Sequence, residues 1–218
     1  MHHEFWHERW QRNQIGFHQD QVNLYLRHFW PAAGMPAAGR VFVPLCGKSR
    51  DMAWLRQQGY EVVGVEISEI AVRDFFAELE LVPAQRESGP FLCYEAAGYM
   101  LLCGDFFALE AADLGVVTAV YDRASLIALP PDMRRRYAMQ MRKLVPAGVR
   151  TLLVAFEYPQ REMDGPPFSV AEQEVAELYA DANEIALLCD EDILEREPRF
   201  RDKGVGRLHE KVYLLTRK

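Results

Sequence analysis

Short, fully apolar runs recur along the chain, separated by stretches in which apolar residues return every third or fourth position. Val41-Phe42-Val43, Val62-Val63-Gly64-Val65, Val116 to Tyr121 and Val149 to Phe156 read as buried strands. Phe91 to Cys103 holds two short strands, and further strand-like segments lie at 185–188 and 211–216. Between them the helical spacing takes over. Ser49 caps a helix through Met52, Ala53 and Leu55 that ends at Gly59, and Ser68 opens one carrying Val72, Phe75, Phe76 and Leu79. Pro131 starts a third, with Met133, Tyr137, Met141 and Leu144 on one side, and Ser169 to about Ala180 is a fourth. The first thirty residues predict two more helices: Trp6 and Trp10 lie four apart, and Val22, Leu26 and Phe29 share a face before Pro31 stops the second. Residues 83–90, between two prolines, read as loop.

Strands alternating with helices predict a parallel sheet covered on both faces, with the ligand crevice at the carboxyl ends of its strands. That expectation puts Leu45–Ser49, Glu66, Asp105, Asp122–Arg123 and Glu157 on one rim. At 218 residues a single domain, 1–218, is expected.

Charge narrows the partners. Twenty-five basic against thirty-two acidic residues give a net charge of −7, which disfavours nucleic acid and anionic membranes. No apolar run approaches the ~20 residues of a membrane span. The start of the chain lacks the apolar region of a secretory signal. Four dispersed cysteines, Cys46, Cys93, Cys103 and Cys189, fit reduced thiols in a cytoplasmic protein, and a monomer is the expected form.

Three motifs offer chemistry that their context withdraws. His3-Glu4-Phe5-Trp6-His7 matches a zinc-binding H-E-x-x-H, yet it sits at the terminus around bulky aromatics, so no metal is expected. Gly47-Lys48-Ser49 has the tail of a phosphate-binding loop, but Phe42 stands where that loop needs glycine. Arg134-Arg135-Arg136 reads as the solvated face of a helix.

The informative constellation is Val41 to Ser49 followed by Val62 to Glu66. A strand, a glycine turn and a helix lead to a second strand ending in a carboxylate nineteen residues after Gly47. This is the spacing of a ribose-binding acid, without the three glycines that admit a pyrophosphate. An adenosine cofactor lacking phosphates fits, and S-adenosylmethionine (SAM) is the common one. A nicotinamide oxidoreductase and a non-catalytic SAM-binding module are the competing readings. Asp105 and Phe106 follow a third apolar segment and are candidates for the adenine, with a helix-cap role for Asp105 as the alternative. Arg123 is placed to bind a carboxylate or an anionic substrate, or to pair internally with Asp122.

The chain resembles the thiopurine S-methyltransferase family, in its bacterial branch. The resemblance rests on Phe5-Trp6 through Trp10, Gly16-Phe17-His18, Val43-Pro44-Leu45-Cys46-Gly47-Lys48-Ser49 and Val63-Gly64-Val65-Glu66-Ile67-Ser68. Tyr121-Asp122-Arg123, Gly165-Pro166-Pro167-Phe168 and Glu210 to Thr216 continue it in order. It implies a class I SAM-dependent methyltransferase fold: an α/β protein with a seven-stranded, mostly parallel sheet, an antiparallel final hairpin and residues 1–30 as a helical lid. It implies SAM contacts from Trp10, Leu45, Gly47, Glu66 and Arg123, with Asp105 and Phe106 less well matched. Phe17, Arg123 and Arg199 would meet a small thiol or selenol acceptor, with the two arginines as the catalytic candidates and no dedicated general base. The bacterial branch is also associated with selenium and tellurium species, hence with tellurite resistance.

Overall fold

The helix and strand signals above fold into the elements of a computed structural model that describes residues 3–218, the side chain of His3 excepted. The chain divides into two compact units, 1–121 and 122–218.

In the first unit, α1 (His3–Gln11) and α2 (Leu24–Ala32) precede β1 (Arg40–Val43), α3 (Arg50–Gln57), β2 (Glu61–Glu66) and α4 (Glu69–Glu78). Then come β3 (Ala84–Ser88), β4 (Phe91–Ala96), β5 (Tyr99–Cys103), α5 (Ala111–Leu114) and β6 (Val117–Arg123), whose last two residues belong to the second unit. The strands run in the order β3-β4-β5-β2-β1-β6. β5, β2, β1 and β6 are parallel to their neighbours, and β3 and β4 are antiparallel additions. Val41, Phe42, Val63, Val65 and Leu101 are fully buried, as central parallel strands require.

Ser49 caps α3 by accepting from the Asp51 N–H, and Gly59 takes the positive φ expected beyond its C-terminus. Two expectations change. Pro31 does not stop α2, which runs one residue further; near a helix end the missing N–H costs little, and the buried face is Leu26 and Trp30. Residues 84–88, expected as loop, form β3. Its Ala-Gln-Arg-Glu-Ser sequence is polar on both faces because it is an exposed edge strand, so it carries no alternation to read. Among the described residues the seven strands implied by the resemblance become nine, since β3 and β4 extend the edge beyond β5.

The second unit continues with α6 (Ser125–Ala128), α7 (Pro131–Leu144), β7 (Arg150–Glu157), α8 (Glu172–Tyr179), β8 (Asn183–Asp192), α9 (Pro198–Arg201) and β9 (His209–Arg217). Its strands lie in the order β7-β9-β8, all antiparallel, with the final hairpin as implied. The arginine run is not a solvated face throughout. Arg134 is only 1 % exposed, donating to the Leu129 carbonyl at 2.8 Å and to Glu174 of α8 at 2.6 Å. A buried guanidinium needs such partners, and here they fasten α7 to α8.

Candidate active site

In the first unit the site is built where β1, β2 and β5 end. The turn after β1 carries positive φ at Leu45 (44°) and Gly47 (53°), and Cys46 N–H donates to the Val65 carbonyl at 3.0 Å. The turn is thereby bound to the exit of β2. Glu66, 6 % exposed, accepts from Gly47 N–H through Oε2 and from Ser68 N–H through Oε1, both at 2.9 Å. Burial pushes its carboxyl up from the ordinary range, against backbone N–H bonds from Ser68, Gly47 and Ile67 that hold it down. A carboxylate has about four lone-pair sites, so acceptor capacity for a ligand hydroxyl remains beyond these backbone bonds.

The positive φ is what favours glycine at position 47. A Cβ there would meet the Trp10 ring at 3.4 Å, so the indole lies directly on the turn. Trp10 is buried, and Phe17 meets it edge-on at 5.6 Å and Trp6 at 5.7 Å. Phe17 remains 38 % exposed, an unusual state for a ring inside an aromatic cluster and one suited to a ligand wall.

Asp105 lies just past β5, where Gly104 N–H donates to the Glu66 carbonyl at 2.9 Å. Its Oδ1 accepts from Phe107 N–H at 2.9 Å, so the capping role is realised, over the 3₁₀ turn 106–108. Phe106 is buried at 3 % exposure with its ring against Phe107. Lys48 is not set for phosphate: its ammonium pairs with Asp74 at 3.3 Å and Glu78 at 2.7 Å of α4. Burial holds the Cys46 thiol well above its ordinary value and raises Cys103 to about 11, so neither is a thiolate nucleophile near neutrality. Burial, then Lys48, lowers His18.

Sequence reading missed Asp51. It is 1 % exposed and accepts from Asn23 N–H at 2.7 Å and the Tyr121 hydroxyl at 2.9 Å. Asn23 in turn caps α2 through Tyr25 and Leu26 N–H. The aromatic N-terminal segment is thus anchored to α3, and the cue in the sequence was an acid two residues after a helix cap.

In the second unit, Arg123 is half-buried at the end of β6. Asp122, beside it in sequence, is buried and accepts from the Tyr137 hydroxyl at 2.7 Å; burial, against bonds from Tyr137 and Ser125, raises it to about 6. Arg199 is exposed on α9 and reaches Glu197 at 3.2 Å. A second residue missed in sequence is Glu210 of β9, 8 % exposed, whose charge environment includes Arg123. Glu157 pairs with Lys211 at 3.0 Å rather than standing open. Among the described residues no group of three or more His, Cys, Asp or Glu could hold a metal ion, and the side chain of His3 lies outside them.

Comparison with known proteins places this geometry. The family model of thiopurine S-methyltransferase matches residues 1–218. A thiopurine S-methyltransferase of Azotobacter vinelandii is 49 % identical over 218 residues, covering 100 % of both chains. One of Pseudomonas paraeruginosa is 52 % identical over 214 residues, covering 98 % of each. Among solved structures, a SAM-dependent methyltransferase of Anabaena variabilis superposes with a TM-score of 0.64 at 13 % identity, over 99 % of this chain and 95 % of that one. Geranyl diphosphate C-methyltransferase of Streptomyces coelicolor, solved with S-adenosylhomocysteine, gives 0.61 at 14 % identity, over 88 % and 77 %. The fold is that of the SAM-dependent methyltransferases, the methyl donor is SAM, and the nicotinamide reading falls away. With a match along its whole length, the chain belongs to the thiopurine S-methyltransferase family.

Proposed function

We propose that this enzyme methylates the sulfur or selenium of small thiols and selenols, thiopurines among them, and that the same chemistry extends to selenium and tellurium detoxification. SAM supplies an electrophilic methyl on a sulfonium whose departure needs no acid. The chain's own residues then align and desolvate. The observation that carries the cofactor side is the Glu66 carboxylate, braced by two backbone N–H groups at 2.9 Å and aimed by them to receive the ribose hydroxyls. Trp10 and the Leu45–Gly47 turn pack the rest of SAM, and Asp105 with the turn after it takes the adenine end. Phe17 offers an exposed ring to the acceptor, and Arg123 and Arg199 favour its anionic form.

Turnover of methyl-labelled SAM against thiopurines, aliphatic thiols, selenols, selenite and tellurite tests this. Labelled thioethers or selenoethers are expected. Label transferred only to oxygen, nitrogen or carbon acceptors would overturn the reading.

A further inference from the structure

A groove of about 320 Å³ opens in the second unit, lined by α7, by α8 with the turn after it, and by residues of β6 to β9. That volume lies within the ~300–1,000 Å³ of small-molecule pockets. Leu215 and Arg217 share one face of β9, and Thr151 of β7 stands opposite Leu215 on the same face. This face is the floor, and buried Ala138, Met141 and Val145 make an apolar wall along α7. None of the residues assigned above to SAM or to the acceptor lines the groove.

Three of its lining side chains carry a buried polar atom that, among the described residues, no hydrogen bond satisfies. They are Asp122 Oδ1, the Tyr179 hydroxyl and Arg217 Nε. Asp122 is 1 % exposed and Tyr179 5 %. The remainder of Asp122 and Arg217 is tied down. Asp122 Oδ2 accepts from the Tyr137 hydroxyl at 2.7 Å, and Arg217 Nη1 donates to the Ala182 carbonyl at 2.8 Å. Each is therefore held in place with one polar atom to spare. Burial, then the charge of Asp122, holds the Tyr179 phenol well above its ordinary range, so its hydroxyl stays a donor. A buried polar atom without a partner is costly and uncommon in folded proteins, and three in one groove call for a guest that bonds them.

The lining also sets the chemistry of that guest. Arg135, Arg142 and Arg217 are balanced by Asp122, Glu177 and Asp181, so no net charge selects an anion or a cation. Bringing a lone charge into the groove would be costly. Asp122 offers an acceptor and Tyr179 a donor, the complement of an amide edge. The wall from Ala138 to Val145 extends about 10 Å along α7, room for a flat two-ring body.

We propose that this groove is a second small-molecule site, whose ligand is an uncharged fused-ring lactam with a carbonyl beside an N–H. The N–H donates to Asp122 Oδ1, the carbonyl accepts from Tyr179, and the rings lie along Met141 and Val145 towards Arg217. The site stands whichever acceptor the enzyme methylates.

The test titrates the full chain, carrying methyl-labelled methionine, with 2-quinolone and follows the methyl signals by NMR. Met141 in the wall and Met139, exposed at the mouth, report the groove. Both signals should shift saturably, and saturating SAM with 6-mercaptopurine should leave the titration unchanged. N-methyl-2-quinolone, which has no donor for Asp122, should bind at least about tenfold more weakly. Tyr179→Phe, which deletes only the hydroxyl, should weaken 2-quinolone about three- to tenfold. Should that variant fail to fold, the two quinolones on wild-type protein decide the matter alone. Equal affinity for both quinolones overturns the proposal, as does a folded Tyr179→Phe that binds like wild type. Unmoved Met139 and Met141 signals would mean a groove holding only water, and shifts abolished by 6-mercaptopurine would place the compound in the acceptor site; either overturns it.

Discussion

Glu66 has both oxygens engaged by backbone N–H groups, which fixes the plane of the carboxylate before any ligand arrives. Preorganisation of this kind makes the loss of one charged acceptor expensive. Glu66→Gln should keep the fold and weaken SAM by ~1–3 kcal/mol, read by calorimetric titration; unchanged affinity would remove Glu66 from the ribose site. The arginines call for a different readout. If both lower the acceptor's pKa, Arg123→Ala and Arg199→Ala should each shift the pH optimum for thiol methylation upward, and lysine should restore more activity than alanine. Arg123→Ala should also raise the KM for SAM, whereas Arg199, exposed and on α9, should change only the acceptor's. Wild-type behaviour of Arg199→Ala with thiopurine and selenium acceptors would take it out of the site.

At the scale of elements, α1 and the segment after it carry the aromatic ladder Trp6–Phe17–Trp10 onto the Gly47 turn. We read this segment as a lid whose hinge is pinned further along, where Asn23 bonds Asp51. Removing residues 1–17 leaves that pin in place. The truncated protein should therefore keep its circular dichroism and cooperative unfolding while losing most SAM affinity; full activity would refute the lid. The elements also show what a sequence can carry. β1, β2 and β6, largely apolar between their polar ends, announce themselves because both faces are covered, and Ser49 and Gly59 mark the ends of α3 through local chemistry. β3 stays invisible because an edge strand held by backbone bonds needs no pattern in its side chains. Glu66 was legible from its distance to Gly47. Asp51, Arg134 and Glu210 were not, since an acid or base buried by contacts remote in sequence looks locally like a surface charge.

For the molecule as a whole, the buried acids set a pH dependence of stability with a definite sign. Asp122 is raised to about 6 and Glu210 to about 7, both chiefly by burial, and Glu66 is raised for the same reason. An acid whose folded pKa lies above its unfolded one binds its proton more tightly in the native state. Its contribution is full below the unfolded value, near 4, and is lost as pH rises through the folded value. Partly exposed Glu69, Glu95 and Asp190 are shifted down, so their contributions fade only as pH falls below about 4. His18, lowered chiefly by burial, opposes the loss, since its penalty for staying neutral is relieved as pH rises through the unfolded value near 6.5. Stability should therefore decline between pH 5.5 and 8, by roughly 2–3 kcal/mol from Asp122 and Glu210 together. Glu210 should account for the larger part, because its carboxyl titrates wholly inside that interval while Asp122 is already half ionised near its lower end. Urea unfolding of the SAM-free protein at the two pH values measures this through the transition midpoint. Glu210→Gln should remove more than half of the decline and Asp122→Asn, which still accepts from Tyr137, most of the rest. A wild type more stable at pH 8 than at pH 5.5, or a Glu210→Gln slope equal to wild type, would mean that these carboxyls are charged in the fold and that their burial is compensated by contacts stronger than the charge of Arg123.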